Sequence, residues 1–269
     1  MKTIHFERRN AVGSIVLANP PYNRIDGRFP AALREAVHEA SESDIRVLVV
    51  RAEGPNFNLG GEVREWPGKD ANWFRTFVAE VNASYRALEA LRIPTVAAVQ
   101  GAAFGGGFEL ALACDFLVVA NSSVMRCVEV TTGMLPIAGA LQRLAERVGR
   151  ARASRYAMLG EPITGAEAGS LGIATHVAPD AELNAAADTL ARTLATGPTR
   201  SYAATRTLLK AWSSGGVATA DLVMLDATMD LFDSVDAQRG FQHRQGVRRR
   251  DRAARPRIRG QVRSKREMC

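Results

Sequence analysis

Residues 98–119 read A-V-Q-G-A-A-F-G-G-G-F-E-L-A-L-A-C-D-F-L-V-V. The pattern is the end of a strand, a glycine turn, a short apolar helix and a second strand. Gly105, Gly106 and Gly107 fall where strand must give way to helix. Glycine accepts backbone angles closed to other residues and lets the main chain approach a ligand. The first N–H groups of a helix have no internal acceptor, and the helix dipole makes that end positive. Such a turn is a ready place to hold negative charge developing on an oxygen. Glu109 follows within one turn, among Leu110, Ala111, Leu112 and Ala113. A carboxylate in those surroundings costs free energy unless it has a partner or a task.

Working outward, the chain alternates strands and helices. Thr3–Arg8 and Gly13–Ala18 read as an opening hairpin, ended by Asn19-Pro20-Pro21. Pro30–Ala40 is a short amphipathic helix, and the apolar run Ile45–Arg51 suits a buried parallel strand. Gly54–Arg64 is a loop leading into a helix start, and Trp66-Pro67-Gly68 is a break. Asn72–Leu91 is a long helix, Pro94–Val99 a core strand, Phe116–Val119 another, and Val124–Cys127 a fourth. Alternation with crossovers implies parallel pairing, with the turns after the strands gathered on one edge. After Gly133 the spacing predicts helices at Ala138–Val148, Ala151–Leu159, Gly165–Gly172, Ala181–Thr196, Pro198–Ser213 and Thr219–Phe232.

Composition is that of an ordinary globular protein, 46% apolar and 23% charged over 269 residues. The net charge of +7 is a local matter: residues 248–269 carry +8 and the rest −1. Cys114, Cys127 and Cys269 form no disulfide framework, and with four scattered histidines they offer no metal-ligand spacing. No metal is expected, and His5, His38, His176 and His243 are read as structural or exposed. Trp66, Trp73 and Trp212 are read as packing residues. Residues 1–10 are charged and lack the apolar run of a secretory leader. The apolar region 93–120 is interrupted by Gln100, Glu109 and Asp115, so it reads as core and not as a membrane span. A cytoplasmic protein is expected.

The string G-x-A-x-G-G-G-x-E-L-A-x-x-C-D at Gly101–Asp115 resembles the signature of the enoyl-CoA hydratase/isomerase (crotonase) superfamily. Gly54–Glu65, G-P-N-F-N-L-G-G-E-V-R-E, resembles that family's F-x-x-G-A-D loop, with Glu62 in place of the usual Asp. Val128–Pro136 resembles its P-E-x-x-x-G-[IL]-x-P segment, with Val128 in place of proline, and Ile137 and Leu141 depart from the pattern further on. Ala18–Asn23, Pro162–Ala168 and Leu171–Val177 extend the likeness, which spans about residues 3–243. The resemblance implies an α/β crotonase-like spiral of ββα units over residues 1–197 and a helical trimerisation region over 198–243. A basic tail over 244–269 is expected to be disordered.

Carried onto this chain, the resemblance makes Gly61 and Gly106 the two N–H donors of an oxyanion hole, and Glu109 and Glu129 the catalytic pair. It places Arg24, Ile25, Gly60, Glu62, Val63, Arg64, Gly105, Gly133, Pro136 and Ile137 along the substrate and coenzyme A path. Arg24 and Arg64 are the candidates for its phosphates. The implied activity is addition of water to, or its removal from, a 2,3-unsaturated acyl-CoA thioester. Coenzyme A is then part of the substrate, and no separate cofactor is expected. A homotrimer or dimer of trimers is implied. The nearest alternative is an isomerase that shifts the double bond, which the branched Ile137 favours. An alternative of another class is a crotonase-like RNA-binding protein acting through the arginines of 248–269. Those arginines also read as a coenzyme A phosphate contact or as an extension with no selected role. They have no interleaved aromatic residue for base stacking, so nucleic acid is not the expected partner.

Overall fold

A computed structural model describes residues 2–254, with side chains through residue 244. A six-stranded sheet runs in the order β1 (Ile4–Arg9), β2 (Val12–Leu17), β3 (Val47–Ala52), β4 (Thr95–Val99), β6 (Phe116–Ala120), β9 (His176–Ala178). The opening hairpin β1–β2 is antiparallel and every later pair is parallel. Side chains of a strand alternate between faces. On one face Val47, Val49, Val96, Ala98, Val118 and Ala120 pack against Leu183, Ala187, Ala191 and Leu194 of the helix α7 (Leu183–Thr196). On the other face Leu48, Val50, Ala97, Val99, Leu117 and Val119 join the main core, with helices α1 (Phe29–Ser41) and α2 (Ala71–Glu89). Burial on both faces explains the unbroken apolar runs in the sequence.

A second, three-stranded sheet holds β5 (Ala102–Phe104), β7 (Val124–Arg126) and β8 (Ile163–Thr164). The sequence reading missed β5, β8 and β9. It ran Val99 straight into the glycine turn, whereas Gly101, at φ +54°, redirects the chain into a second short strand first. Each turn of the spiral therefore gives one strand to each sheet and then a helix. β4 and β5 lead into α3 (Gly106–Leu112), and β6 and β7 lead into a 3-10 turn over Glu129–Thr132. Isolated parallel bridges Ile25↔Gly61 and Asn58↔Ala103 continue the pattern into the two preceding turns. The ends of these short strands lie side by side, and the candidate residues come directly after them.

Helices α4 (Ala140–Val148), α5 (Arg150–Leu159) and α6 (Gly165–Ser170) fall close to the expected spans. Arg147 of α4 donates to the carbonyls of Leu112, Cys114 and Ile173 at 2.8–3.0 Å, which caps the C-terminal end of α3. The last two expected helices are the halves of α8 (Thr199–Phe232), broken by non-helical backbone at Gly215 and Gly216. Arg206 of α8 pairs with Asp115 and donates to the Glu89 carbonyl at 2.9 Å, tying this arm to the core. The helix α9 (Val235–Ala254) carries the backbone into the start of the basic stretch, where the sequence led to an expectation of disorder from residue 244. Residues 255–269 lie outside the described residues. Among the described residues no helix is long and apolar enough to cross a membrane.

Arg147→Met removes the donor shared by three carbonyls while keeping an apolar stem of similar length. Each hydrogen bond from a charged donor is worth about 1.5–3 kcal/mol, so a loss of roughly 2–4 kcal/mol is expected. Urea unfolding followed by circular dichroism checks it; an unchanged midpoint would remove the capping role.

Candidate active site

Gly61 follows the bridge that pairs Asn58 with Ala103, and Gly106 follows β5. The Gly60 carbonyl accepts from Ile25 N–H at 3.0 Å. A trans peptide directs its N–H opposite to its C=O, so the Gly61 N–H points away from Ile25. The Gly105 carbonyl accepts from Glu109 N–H at 3.0 Å as the first bond of α3. By the same geometry the Gly106 N–H points out of that helix's N-terminus. Neither N–H has a protein acceptor among the described residues. The two segments touch: a Cβ on Gly60 would lie 3.5 Å from Gly106 N and 2.7 Å from the Phe104 carbonyl oxygen. Gly60 sits at φ +78° and Gly105 at φ +50°, conformations that disfavour any side chain there.

Gly61 and Gly106 both border a cavity of about 190 Å³. Glu109 and Glu129 line the same cavity. A Cβ on Gly105 would stand 3.0 Å from Glu129 Oε1, and one on Gly106 would stand 4.0 Å from Glu109 Oε2. Glu109 is 0% exposed. Its Oε1 accepts from the Ala138 and Ala140 N–H groups at 2.7 and 3.0 Å. Its Oε2 is buried with no hydrogen-bond partner, as is Glu129 Oε2. Two carboxylate oxygens are thus desolvated and open to a ligand at one cavity. Burial, with the Glu129 charge nearby, outweighs the two backbone bonds and raises the Glu109 pKa to about 7. Burial also raises that of Glu129.

The segment that receives Glu109 is itself held from two sides. Arg143 donates to the Ala138 carbonyl at 2.6 Å, and Asn82 of α2 donates to the Ile137 carbonyl at 2.7 Å. The buried Tyr85 hydroxyl donates to the Gly106 carbonyl at 2.7 Å, fixing the first turn of α3.

Of the residues expected along the substrate path, Arg24, Ile25, Val63, Gly105 and Ile137 line the cavity. Gly60, Glu62, Arg64, Gly133 and Pro136 lie outside its wall. Glu62 caps the 3-10 turn Val63–Glu65 and pairs with Arg64 at 2.5 Å, which holds the Glu62 carboxyl below its usual range. Arg24 donates to the Gly61 carbonyl at 3.3 Å, so part of its guanidinium is committed to the Gly60–Gly61 segment. Arg64 is exposed beside it. Gly133 ends the turn carrying Glu129 at φ +74°, which lets the chain reverse there. Trp66, read from the sequence as packing, also forms cavity wall with Phe74 and Phe77. It stacks edge-on to both, and its ring lies 2.8 Å from where a Gly61 Cβ would be. Its spacing from the glycine loop carries no periodic signal, so only the fold reveals the contact. Among the described residues no group of three or more His, Cys, Asp or Glu side chains could hold a metal ion.

A spiral of ββα units with a helical C-terminal arm is the arrangement of the crotonase fold. Comparison with known proteins agrees: residues 7–249 match the enoyl-CoA hydratase/isomerase family, and this chain belongs to it. It is 30% identical over 236 residues to a probable enoyl-CoA hydratase of Bacillus subtilis, spanning 86% of this chain and 91% of that one. It is 38% identical over 176 residues to the mouse mitochondrial enoyl-CoA hydratase domain-containing protein 2, but covers 60% of that protein's length. Among solved structures, the enoyl-CoA hydratase of Bacillus anthracis superposes with a TM-score of 0.85 at 25% identity, covering 91% of this chain and 96% of that one.

The raised Glu109 pKa has a consequence for stability. Between pH 4.5 and about 7 the folded chain retains a proton that the unfolded chain has lost. Stability from this group is therefore full below 4.5, falls as pH rises, and levels off above about 7. Glu109→Gln keeps an acceptor for Ala138 and Ala140 without the ionisation. The variant is expected to gain stability over the parent across that window, reaching about 3 kcal/mol at pH 8. Melting curves of both proteins at pH 4.5, 6 and 8 check it, and a constant difference would contradict the assigned shift.

Proposed function

We propose that this chain is an enoyl-CoA hydratase. The observation that carries the reading is the meeting, at one cavity, of two glycines whose N–H groups have no protein acceptor among the described residues and two glutamates whose Oε2 atoms are buried without a partner. A thioester carbonyl oxygen between Gly61 N–H and Gly106 N–H would be stabilised as charge moves onto it from the conjugated double bond. The β-carbon becomes electrophilic. One glutamate, ionised, takes a proton from water as the oxygen attacks the β-carbon. The other, protonated, delivers its proton to the α-carbon. The pair ends with the proton on the opposite carboxyl, and one water has been added. A pair with raised pKa values suits this exchange, because one ionised and one protonated carboxyl can coexist near neutral pH.

The cavity wall supplied by Ile25, Trp66, Phe77 and Ile137 fits an apolar acyl group, with coenzyme A as part of the substrate. Exposed Arg64 is the candidate for its phosphates. Ile137 also favours a second reading, an isomerase that moves a proton along the acyl chain by one carboxylate without water. The RNA-binding alternative depends on residues 248–269, most of which lie outside the described residues. We also assign this chain to a trimer or dimer of trimers, since α8 leaves Leu209, Trp212, Leu222, Leu225, Met229 and Phe232 exposed.

A panel of 2,3-enoyl-CoA and 3,4-enoyl-CoA thioesters, followed by absorbance of the conjugated thioester, separates the readings. Loss of absorbance with the first set is expected. A rise with the second set and no change with the first would assign the isomerase. Glu129→Gln should lower kcat by about 10²–10⁴-fold with little effect on folding. Unchanged turnover would remove Glu129 from the mechanism. Sedimentation at micromolar concentration should show a trimer or hexamer, and a stable monomer would exclude that assembly.

A further inference from the structure

Asn58 stands between the two glycine segments and is bonded to both. Its main chain is stitched to the strand that leads to Gly106. Asn58 N–H donates to the Ala102 carbonyl at 3.2 Å, and Phe104 N–H donates to the Asn58 carbonyl at 2.9 Å. Its side chain serves the other segment, and Oδ1 accepts from the Gly60 N–H at 2.7 Å. That bond fixes the residue immediately before the Gly61 donor, in the left-handed conformation that the Gly60–Gly61 turn requires. A third contact closes the arrangement: a Cβ on Gly107 would overlap the Asn58 carbonyl oxygen, so α3 lies against Asn58 with no side chain between them.

Asn58 is 0% exposed and does not border the cavity, so it makes no contact there with a ligand. Its Nδ2 is buried without a partner. An unpaired buried amide costs about 1–3 kcal/mol, which an aliphatic residue of the same size would avoid. The use of the side chain is therefore on the Oδ1 side, in the bond to Gly60.

We propose that Asn58 is a positioning residue that sets the separation and aim of the Gly61 and Gly106 N–H donors. It does so by joining the Gly60 main chain to β5 through one residue. This rests on the reading of those N–H groups as the thioester oxyanion site. Donors to an oxyanion act only within about 2.7–3.1 Å of it, and a misplacement of about 1 Å can cost roughly 10²-fold in rate. The bond from Gly60 to Oδ1 spans two residues along the chain, a geometry that a serine hydroxyl copies more weakly.

The test uses three variants and an enoyl-CoA thioester that the parent protein turns over. Asn58→Ala and Asn58→Leu remove the acceptor, the second with volume kept. Both should lower kcat by about 10–100-fold with KM changed by less than about threefold. Asn58→Ser should recover part of the loss. A conjugated aryl-enoyl thioester bound to the parent should show a red-shifted absorbance, because hydrogen bonds to the carbonyl polarise the conjugated system. That shift should shrink in the alanine and leucine variants and return in the serine variant. Folded alanine and leucine variants with parental kcat and red shift would overturn the proposal. So would a serine variant as impaired as alanine, or loss of folding in alanine and leucine with parental behaviour in serine, which would mark a purely structural role. A parent protein with no turnover of any thioester would instead overturn the hydratase reading itself.

Discussion

The parallel stacking of the short second strands is the constraint on which the site depends. Each turn of the spiral places a strand in the large sheet, then a brief extended segment, then a helix or helical turn. The brief segments pair with one another through Ile25–Gly61, Asn58–Ala103 and β5–β7. Parallel neighbours start and stop at the same edge, so the residues leaving one segment emerge beside those leaving its neighbour. Gly61, Gly106 and Glu129 occupy that place in three successive turns. The large sheet supplies the apolar burial that holds the stack, and the short strands translate it into the relative position of donors and carboxylates.

Desolvation is the second theme, and it acts in opposite senses on different groups. Glu109 lies in an otherwise apolar helix, and two backbone N–H groups from 138–140 offset only part of its burial. The remainder appears as a proton held up to about pH 7. Glu62 has the opposite fate, because Arg64 and Arg24 surround it and keep it charged at the rim. The fold thus separates a carboxylate held charged by arginines from one whose burial favours its proton.

Much of this was legible in the chain because the decisive signals are local. A strand, a triple glycine and a lone glutamate within one turn define the α3 entrance without knowledge of partners. Apolar runs at 45–51 and 94–99 announce strands buried on both faces. The elements that escaped reading are two or three residues long, β5, β8 and β9, and so short a stretch has no periodicity to display. They exist because neighbouring turns supply hydrogen-bond partners, which is a long-range fact. Asn58 escaped for the same reason. An asparagine two residues before a glycine announces a turn, but that its main chain also pairs with Ala102 and Phe104 emerges only when the turns are stacked. Trp66 is a third case, since its contact with Gly61 and Phe77 joins segments with no common period.

The bonds from Ala138 and Ala140 to Glu109 Oε1 tie two main-chain amides to a side chain whose charge changes during the proposed exchange. An amide proton bonded to a carboxylate sits further downfield than one bonded to a neutral carboxyl. These two amides are therefore native spectroscopic reporters of the proton's location. They lie on a segment that Asn82 and Arg143 hold in place, so movement of the loop would add little to their signal. With 15N-labelled protein, the state of a buried acid can be followed at Ala138 and Ala140 without altering any atom of the site.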